Sequence, residues 1–198
     1  MDQFLIAGLG NTGDDFTNTR HNVGFRVVDM LAQKHGTSFY KEILALHTTL
    51  KIQDNLLHLI KPTTFVNHSG ESIKYWLNKL NLNQQYLLVV VDDKDFPFGT
   101  IRIKPKGGDG RHNGLKSIST ALLSDNYSRL RFGIGRNFEQ GKQKEFVLGK
   151  WSKEEEVALT SYLSVAVEAI ESYVVIGIEK TMSKYNHAII SDNMNPTF

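Results

Sequence analysis

Tyr86 to Val91, reading YLLVVV, is an uninterrupted apolar run rich in β-branched side chains, and it ends abruptly in Asp92-Asp93-Lys94-Asp95, followed by Pro97 and Gly99. A strand of this composition offers no face to water, so it has to be covered on both sides, as the inner strands of α/β sheets are. Phe4-Leu5-Ile6-Ala7 is a second such run, and it empties into a glycine-punctuated stretch from Gly8 to Gly24, GLGNTGDDFTNTRHNVG. Ligands of open α/β sheets gather at the ends of strands, so these two exits are the places to look for chemistry.

The rest of the chain supplies helices and further strands around those two. Val23, Val27, Met30 and Leu31 recur at helical spacing with Gly36 as a stop, and Thr19 in N-cap position would put Arg20, His21 and Asn22 in the first turn. Residues from about Ala45 to Ile60 read as a hairpin turning at Gln53-Asp54-Asn55. Ile73, Trp76, Leu77 and Leu80 predict a helix after Asn67–Gly70, with Ser69 as its cap. Thr100–Lys104 and Arg129–Ile134 alternate as half-buried strands, and between them Gly107-Gly108-Asp109-Gly110 is a loop delivering Arg111, His112 and Asn113 to a helix. Ser152-Lys153-Glu154-Glu155 is a capping box that opens a long helix carrying Ala158, Tyr162, Ala166 and Tyr173 on one stripe. The expected fold is α/β: one domain, residues 1–188, with a mixed twisted β-sheet flanked by α-helices, and a flexible C-terminal tail over 189–198.

Composition narrows the chemistry. The 198 residues contain no cysteine, which excludes thiolate nucleophiles and cysteine zinc sites. No apolar run approaches a membrane span and the N-terminus has no basic-then-apolar signal, so no membrane partner is expected and the cytoplasm is the default. The net charge of +2 hides an asymmetry: Arg102 to Lys150 holds eleven Lys and Arg against four Asp and Glu, a net of +7, leaving −5 elsewhere. Such a segment is either a solvated face or a footprint for an anionic partner.

Gly8-Leu9-Gly10-Asn11-Thr12-Gly13 matches G-x-G-x-x-G, but no helix opens at the third glycine and no second strand ends in an acidic residue at the expected distance, which argues against a dinucleotide site. Of the seven histidines, His35, His47, His58 and His187 read as surface or satisfied core, and His68 and His112 stay open. His21 differs because its helix start directs it toward the strand ends. A catalytic histidine needs a carboxylate or carbonyl to fix its tautomer and stabilise its charged form, and Asp92 at the end of the central strand is the natural partner. The alternatives are an ordinary strand-end aspartate, or a Mg²⁺ site of Asp92, Asp93 and Asp95 to which His21 and His112 could add; no H-E-x-x-H spacing or G-x-S-x-G elbow is present. Asn11, Asn67 and Asn113 lie in three polar turns, and carboxamides around a histidine suit recognition of peptide groups and an oxyanion.

Taken together, Asn11 with Thr19-Arg20-His21-Asn22-x-Gly24, Lys61-Pro62-Thr63-Thr64-Phe65-x-Asn67-x-Ser69-Gly70, Asp92-Asp93-x-Asp95-x-Pro97-x-Gly99, Gly107-Gly108 with His112-Asn113-Gly114-Leu115-Lys116-Ser117-Ile118, and Arg129-Leu130-Arg131-x-Gly133-Ile134-Gly135 resemble bacterial peptidyl-tRNA hydrolase. The five blocks occur in order over about residues 4 to 186. The resemblance implies an enzyme, without metal or other cofactor and monomeric, that hydrolyses the ester joining a peptide or N-blocked amino acid to the 3′ ribose of tRNA, engaging the acceptor stem and 3′ end. It implies His21 as the general base on water, Asp92 as its orienting carboxylate, and Asn11 as the sensor of the blocked amino group. Asn67 and Asn113 would hold the peptidyl and 3′-terminal parts, with Asn113 a candidate oxyanion donor. Phe16 and Phe65 would contact substrate, and Lys104 and Arg131 tRNA phosphates, with Lys106, Arg111 and Arg136 extending the patch.

Four positions depart from the family pattern. Phe16 stands for a usual tyrosine, Val66 for methionine, Lys94 for an apolar residue and Arg111 for glycine. Two other classes stay in view: a tRNA-binding module that has lost catalysis, which would have no use for a His21/Asp92 pair, and a metal hydrolase, which EDTA would inhibit.

Overall fold

Every residue of β5 (Leu87–Asp93) is buried, and its side chains feed two separate cores. Leu88 and Val90 point into a core with Ile6, Val27, Phe132 and Ile170. Leu87, Val89 and Val91 point the other way, to Leu5, Ala7, Ile73, Trp76 and Leu115. That alternation is the period-two geometry of a strand, and it makes β5 the inner strand of a three-layer α/β/α sandwich. The computed structural model describes residues 2–186, so the tail expected from residue 189 and His187 lie outside the described residues.

The sheet has seven strands in the order β2-β3-β4-β1-β5-β7-β6: β1 (Gln3–Gly8), β2 (Tyr40–Glu42), β3 (Ala45–Ile52), β4 (Asn55–Pro62), β5, β6 (Ile101–Lys104) and β7 (Ser128–Gly133). β4, β1, β5 and β7 are mutually parallel, while β2, β3 and β6 run antiparallel to their neighbours. The sheet is therefore mixed, as expected. The four parallel strands deliver Pro62, Gly8, Asp93 and Gly133 to one end, where the segments that follow them converge.

The helices are α1 (Val23–Lys34), α2 (Ser69–Leu80), α3 (Asn113–Leu122), α4 (Gln143–Val147), α5 (Lys153–Ile176) and α6 (Ile178–Tyr185). α1 and α5 cover one face, and α2 and α3 the other. Helix α5 is long and apolar enough to cross a membrane by length and composition, but half of that apolar window is buried inside the fold, which makes it the core helix of this face. Its N-terminus carries the expected capping box, Ser152 with Glu155.

Two glycines fix the depth of α1. A Cβ on Gly24 would come within 2.5 Å of the Leu9 backbone and the Val90 carbonyl, and one on Gly8 within 2.3 Å of the Gly24 carbonyl. Only bare backbone lets α1 lie this close, and that closeness sets the turn before α1 over the ends of β1 and β5.

The structure corrects three local readings. Arg20–Asn22 is a 3₁₀ turn ahead of α1 rather than its first turn, and Thr19 caps nothing with its side chain but donates Oγ1 to the Phe16 carbonyl at 2.8 Å. Ser69 is the first residue of α2, buried, with its hydroxyl donating back to Val66 O. The short β2, α4 and α6 were not foreseen from the pattern.

Candidate active site

Asp92, next to last in β5, has the same parity as Leu88 and Val90, so its carboxylate turns toward the α1 face. His21 Nδ1–H donates to Asp92 Oδ1 at 2.7 Å, and His112 Nε2–H donates to the same oxygen at 3.0 Å. The two rings pack with centroids 5.2 Å apart. His112 has its tautomer assigned by its other nitrogen: Nδ1 caps α3, accepting the Gly114 and Leu115 amides at 3.1 and 3.3 Å, so the proton sits on Nε2. His21 makes no second hydrogen bond among the described residues, which leaves its Nε2 lone pair open. Burial pushes the His21 imidazole down, but the Asp92 carboxylate outweighs it and holds the group above its ordinary value. Burial likewise pushes Asp92 up, and the charge and hydrogen bonds of His21 and His112 overcome it, holding the carboxyl well below the usual range.

Asn11 is brought to the same strand ends and is fixed at its backbone. Asn22, buried beside His21, accepts the Asn11 amide and donates to the Asn11 carbonyl, both at 2.9 Å. The Asn11 Oδ1 accepts the Val66 amide at 2.9 Å, which ties it to the turn carrying Asn67 and leaves its NH₂ group as an unused donor among the described residues. Asn67 and Asn113 are both exposed. Their supports touch: a Cβ on Gly114 would meet Val66 at 3.0 Å, so Gly114 is what lets the start of α3 reach the Asn67 turn.

β6 runs antiparallel to β7, so the chain after Lys104 must climb back to reach Asp92, and it does so along β7. Arg129, fully buried and without a carboxylate partner among the described residues, donates to the carbonyls of Gly107 and Gly108. Arg131, two residues higher, donates to Gly108 O at 2.8 Å and Asp93 Oδ2 at 2.9 Å. One level further, Arg111 meets Asp95 at 3.3 Å, and Lys94 pairs with the same carboxylate at 3.0 Å. Two of the departures from the family pattern, Lys94 and Arg111, thus converge on Asp95. Arg111 holds φ 63°, a left-handed backbone that glycine would adopt without strain.

These pairings bear on a metal. Asp93 and Asp95 are engaged by Arg131, Lys94 and Arg111, so they do not converge with Asp92 as an acidic cluster. His21, Asp92 and His112 do present ligand atoms within 4.8 Å of one another. A metal on His112 Nε2 would require its proton on Nδ1, aimed at two backbone N–H groups, and the cap of α3 opposes that.

The remaining predicted residues stand at the rim. Phe65 is 58 % exposed and Phe16 is half-buried at the end of a 3₁₀ turn. Arg131 is not the open cation the sequence suggests, since its side chain is 17 % exposed and already paired. Lys104 is exposed on the edge strand opposite Arg129, about three residues or 10 Å down the sheet from the level of Asp92, so it is not brought to the His21–Asp92 pair. A cleft of about 580 Å³ runs along α3 from the Gly108–Gly110 loop to Leu123, where one of about 360 Å³ adjoins it, and His21, Asp92 and His112 line neither. His112, Asn22 and Arg129 are the site residues that sequence reasoning left open or passed over; the glycine loop feeding His112 into α3 was the available signal.

An α/β sheet that presents at its parallel strand ends a histidine–carboxylate pair whose second imidazole nitrogen has no partner among the described residues has the groups an acid–base enzyme site requires. The particular family follows from comparison: the chain belongs to the peptidyl-tRNA hydrolase family, whose model matches residues 5–194. Peptidyl-tRNA hydrolase of Porphyromonas gingivalis is 45% identical over 184 residues, covering 93% of this chain and 100% of that protein. The Parabacteroides distasonis protein of the same name is 45% identical over 185 residues, covering 93% and 99%. Among solved structures, peptidyl-tRNA hydrolase from Acinetobacter baumannii matches with a TM-score of 0.87 at 31% identity, over 93% of this chain and 94% of that one.

Proposed function

We propose that this chain hydrolyses the ester between a peptide, or an N-blocked amino acid, and the 3′ end of tRNA, with His21 as general base. The observation that carries the mechanism is the 2.7 Å bond from His21 Nδ1 to Asp92, which leaves Nε2 as the acceptor for a proton from water. Water attacks the ester carbonyl as Nε2 takes its proton. The imidazolium so formed is stabilised by Asp92, and it returns the proton to the departing ribose oxygen as the tetrahedral intermediate collapses. Asn113 donates to the developing oxyanion, a role worth roughly 10²–10³ in turnover for a well-placed donor.

The free NH₂ of Asn11 meets the acyl carbonyl of a blocked amino group, so that unblocked aminoacyl-tRNA is spared. Asn67, Phe16 and Phe65 hold the peptidyl part and the 3′-terminal base. Lys104 and the part of Arg131 that Asp93 leaves open contact tRNA phosphates, which gives affinity and register without reading sequence. Residues 1–188 form the catalytic domain, acting as a monomer in the cytoplasm without a metal.

The test is release of tRNA from N-acetyl-aminoacyl-tRNA beside unblocked aminoacyl-tRNA, with EDTA present. Cleavage of the blocked substrate alone is expected. Loss of cleavage in EDTA would return the His21–Asp92–His112 cluster to a metal role, and tRNA binding without cleavage would make the chain a binding module.

A further inference from the structure

The mechanism uses His21 and explains Asn22, but leaves Arg20 between them and the rest of the fold without a purpose. A 3₁₀ turn of three residues has too few hydrogen bonds of its own to fix an imidazole, and this one lacks a side-chain cap. Its position comes from outside. Asn22 ties it to Asn11 on one side. On the other, both the backbone and the side chain of Arg20 reach the segment 146–155.

The Arg20 amide donates to Gly149 O at 3.0 Å, and Thr19 forms an antiparallel bridge with Lys150. Arg20 Nη1 donates to Phe146 O at 3.3 Å, and Nη2 to Glu155 Oε2 at 2.7 Å. The guanidinium stands 4.3 Å from the Phe146 ring centroid and 5.4 Å from that of Trp151. Trp151 packs in turn against Phe98 at 5.1 Å, in the loop that leaves β5 after Asp93. One stack, Phe146–Arg20–Trp151–Phe98, therefore underlies the turn that presents His21 and the loop that follows Asp92. Arginine suits this place because its planar fork bonds two acceptors while its faces meet aromatic rings; lysine has one point charge and no face.

We infer that Arg20 is a positioning residue for the base: clamped by Phe146, Trp151 and Glu155, it holds the His21 turn at the depth from which Nδ1 meets Asp92. The inference rests on the reading of His21 as general base. Displacing a catalytic group by about 1 Å costs on the order of 10²-fold in rate, so a loosened clamp should act on turnover and leave substrate binding nearly intact.

The experiment compares full-length Arg20→Lys, Arg20→Met and Glu155→Gln with the unaltered chain. The readouts are kinetics on N-acetyl-aminoacyl-tRNA from about pH 5 to 9, NMR titration of the His21 ring, and thermal melting. The expected result is kcat down by roughly 10–100-fold for both Arg20 variants with KM changed less than about threefold, and a smaller loss for Glu155→Gln. The His21 midpoint should move to lower pH, because Asp92 and His112 face His21 and only Asp92 opposes burial there. Wild-type kcat and an unmoved midpoint in Arg20→Lys would overturn the inference alone. A kcat loss that merely tracks the melting temperature, again with an unmoved midpoint, would reduce Arg20 to a structural residue. Should Arg20→Met fail to fold, Arg20→Lys and Glu155→Gln decide. An unaltered chain that cleaves nothing would instead remove the reading of His21 as base, and this inference with it.

Discussion

Two pairs of histidines pack ring to ring, His21 with His112 at the end of the sheet at 5.2 Å and His47 with His58 on β3 and β4 at 5.5 Å, and burial lowers His21, His47 and His58 alike but prevails only in the second pair. The second pair forms a chain across strands: the Tyr40 hydroxyl meets His47 Nδ1 at 3.1 Å, His47 Nε2 meets His58 Nδ1 at 3.2 Å, and His58 Nε2 meets Gln3 Oε1 at 3.2 Å. No carboxylate lies beside His58 among the described residues. Burial, then His47 and Lys79, push it down to about 4, and burial also lowers His47 against the pull of Glu42. At His21 a carboxylate at hydrogen-bond distance reverses the sign. A buried imidazole is held neutral by default, and is ready to take a charge only where the pull of a neighbouring carboxylate exceeds the cost of burial, as at His21 and not at His47.

The largest effect should come from removing the base. His21→Ala should lower turnover of N-acetyl-aminoacyl-tRNA about 10³–10⁴-fold while tRNA binding, followed by filter retention, stays near wild type; retained turnover would end the assignment. Asp92→Asn should convert the active pair toward the other type. With burial left to act alone, the His21 imidazole falls, so the acid limb of the kcat/KM profile should move to lower pH as turnover drops about 10²–10³-fold. A limb that stays in place would mean that Asp92 does not set the state of His21.

The structural pair should show itself in stability. His58 binds its proton at about 4 when folded and near its ordinary 6.5 when unfolded, so stability falls as pH drops below 6.5 and goes on falling to about 4. By linkage this group alone removes about 2 kcal/mol between pH 7 and 5. Urea unfolding at the two pH values should show that slope, and His58→Gln should flatten it. The His21–Asp92 contribution runs the other way for the histidine: its raised value gives stability that is present below 6.5 and lost as pH rises through the folded value. The smallest effect is expected from Tyr40→Phe, which removes one partly exposed hydrogen bond and should cost about 0.5–1 kcal/mol with turnover unchanged.

Much of this was legible in the chain. The run 86–91, the 45–60 hairpin and the Ser152–Glu155 box announce themselves because each is a local pattern with a local cause. The pairing of His21 with Asp92 was also readable, since a helix start and a strand end meet at one edge of an α/β sheet. His112 was not, because its nitrogens answer to different elements, Nδ1 to α3 and Nε2 to Asp92. The Asp93 partner of Arg131 was not legible, because a basic segment reveals its charge and not its partners, and Asp93 lies 38 residues away. The His47–His58 contact was hidden in register: His47 faces Ile60 and Thr49 faces His58, so the rings meet diagonally. β2 is too short and exposed to leave a pattern, and only Thr181 and Tyr185 of α6 are buried.

One carboxylate oxygen, Glu155 Oε2, closes the N-terminus of α5 and also holds Arg20, 135 residues earlier. Arg20, next to His21, therefore takes its side-chain anchor from a residue made 135 positions later, so the clamp cannot close until α5 has begun to form. A fragment ending before residue 155 should cleave more slowly than Glu155→Gln, because it lacks α5 as well as the carboxylate.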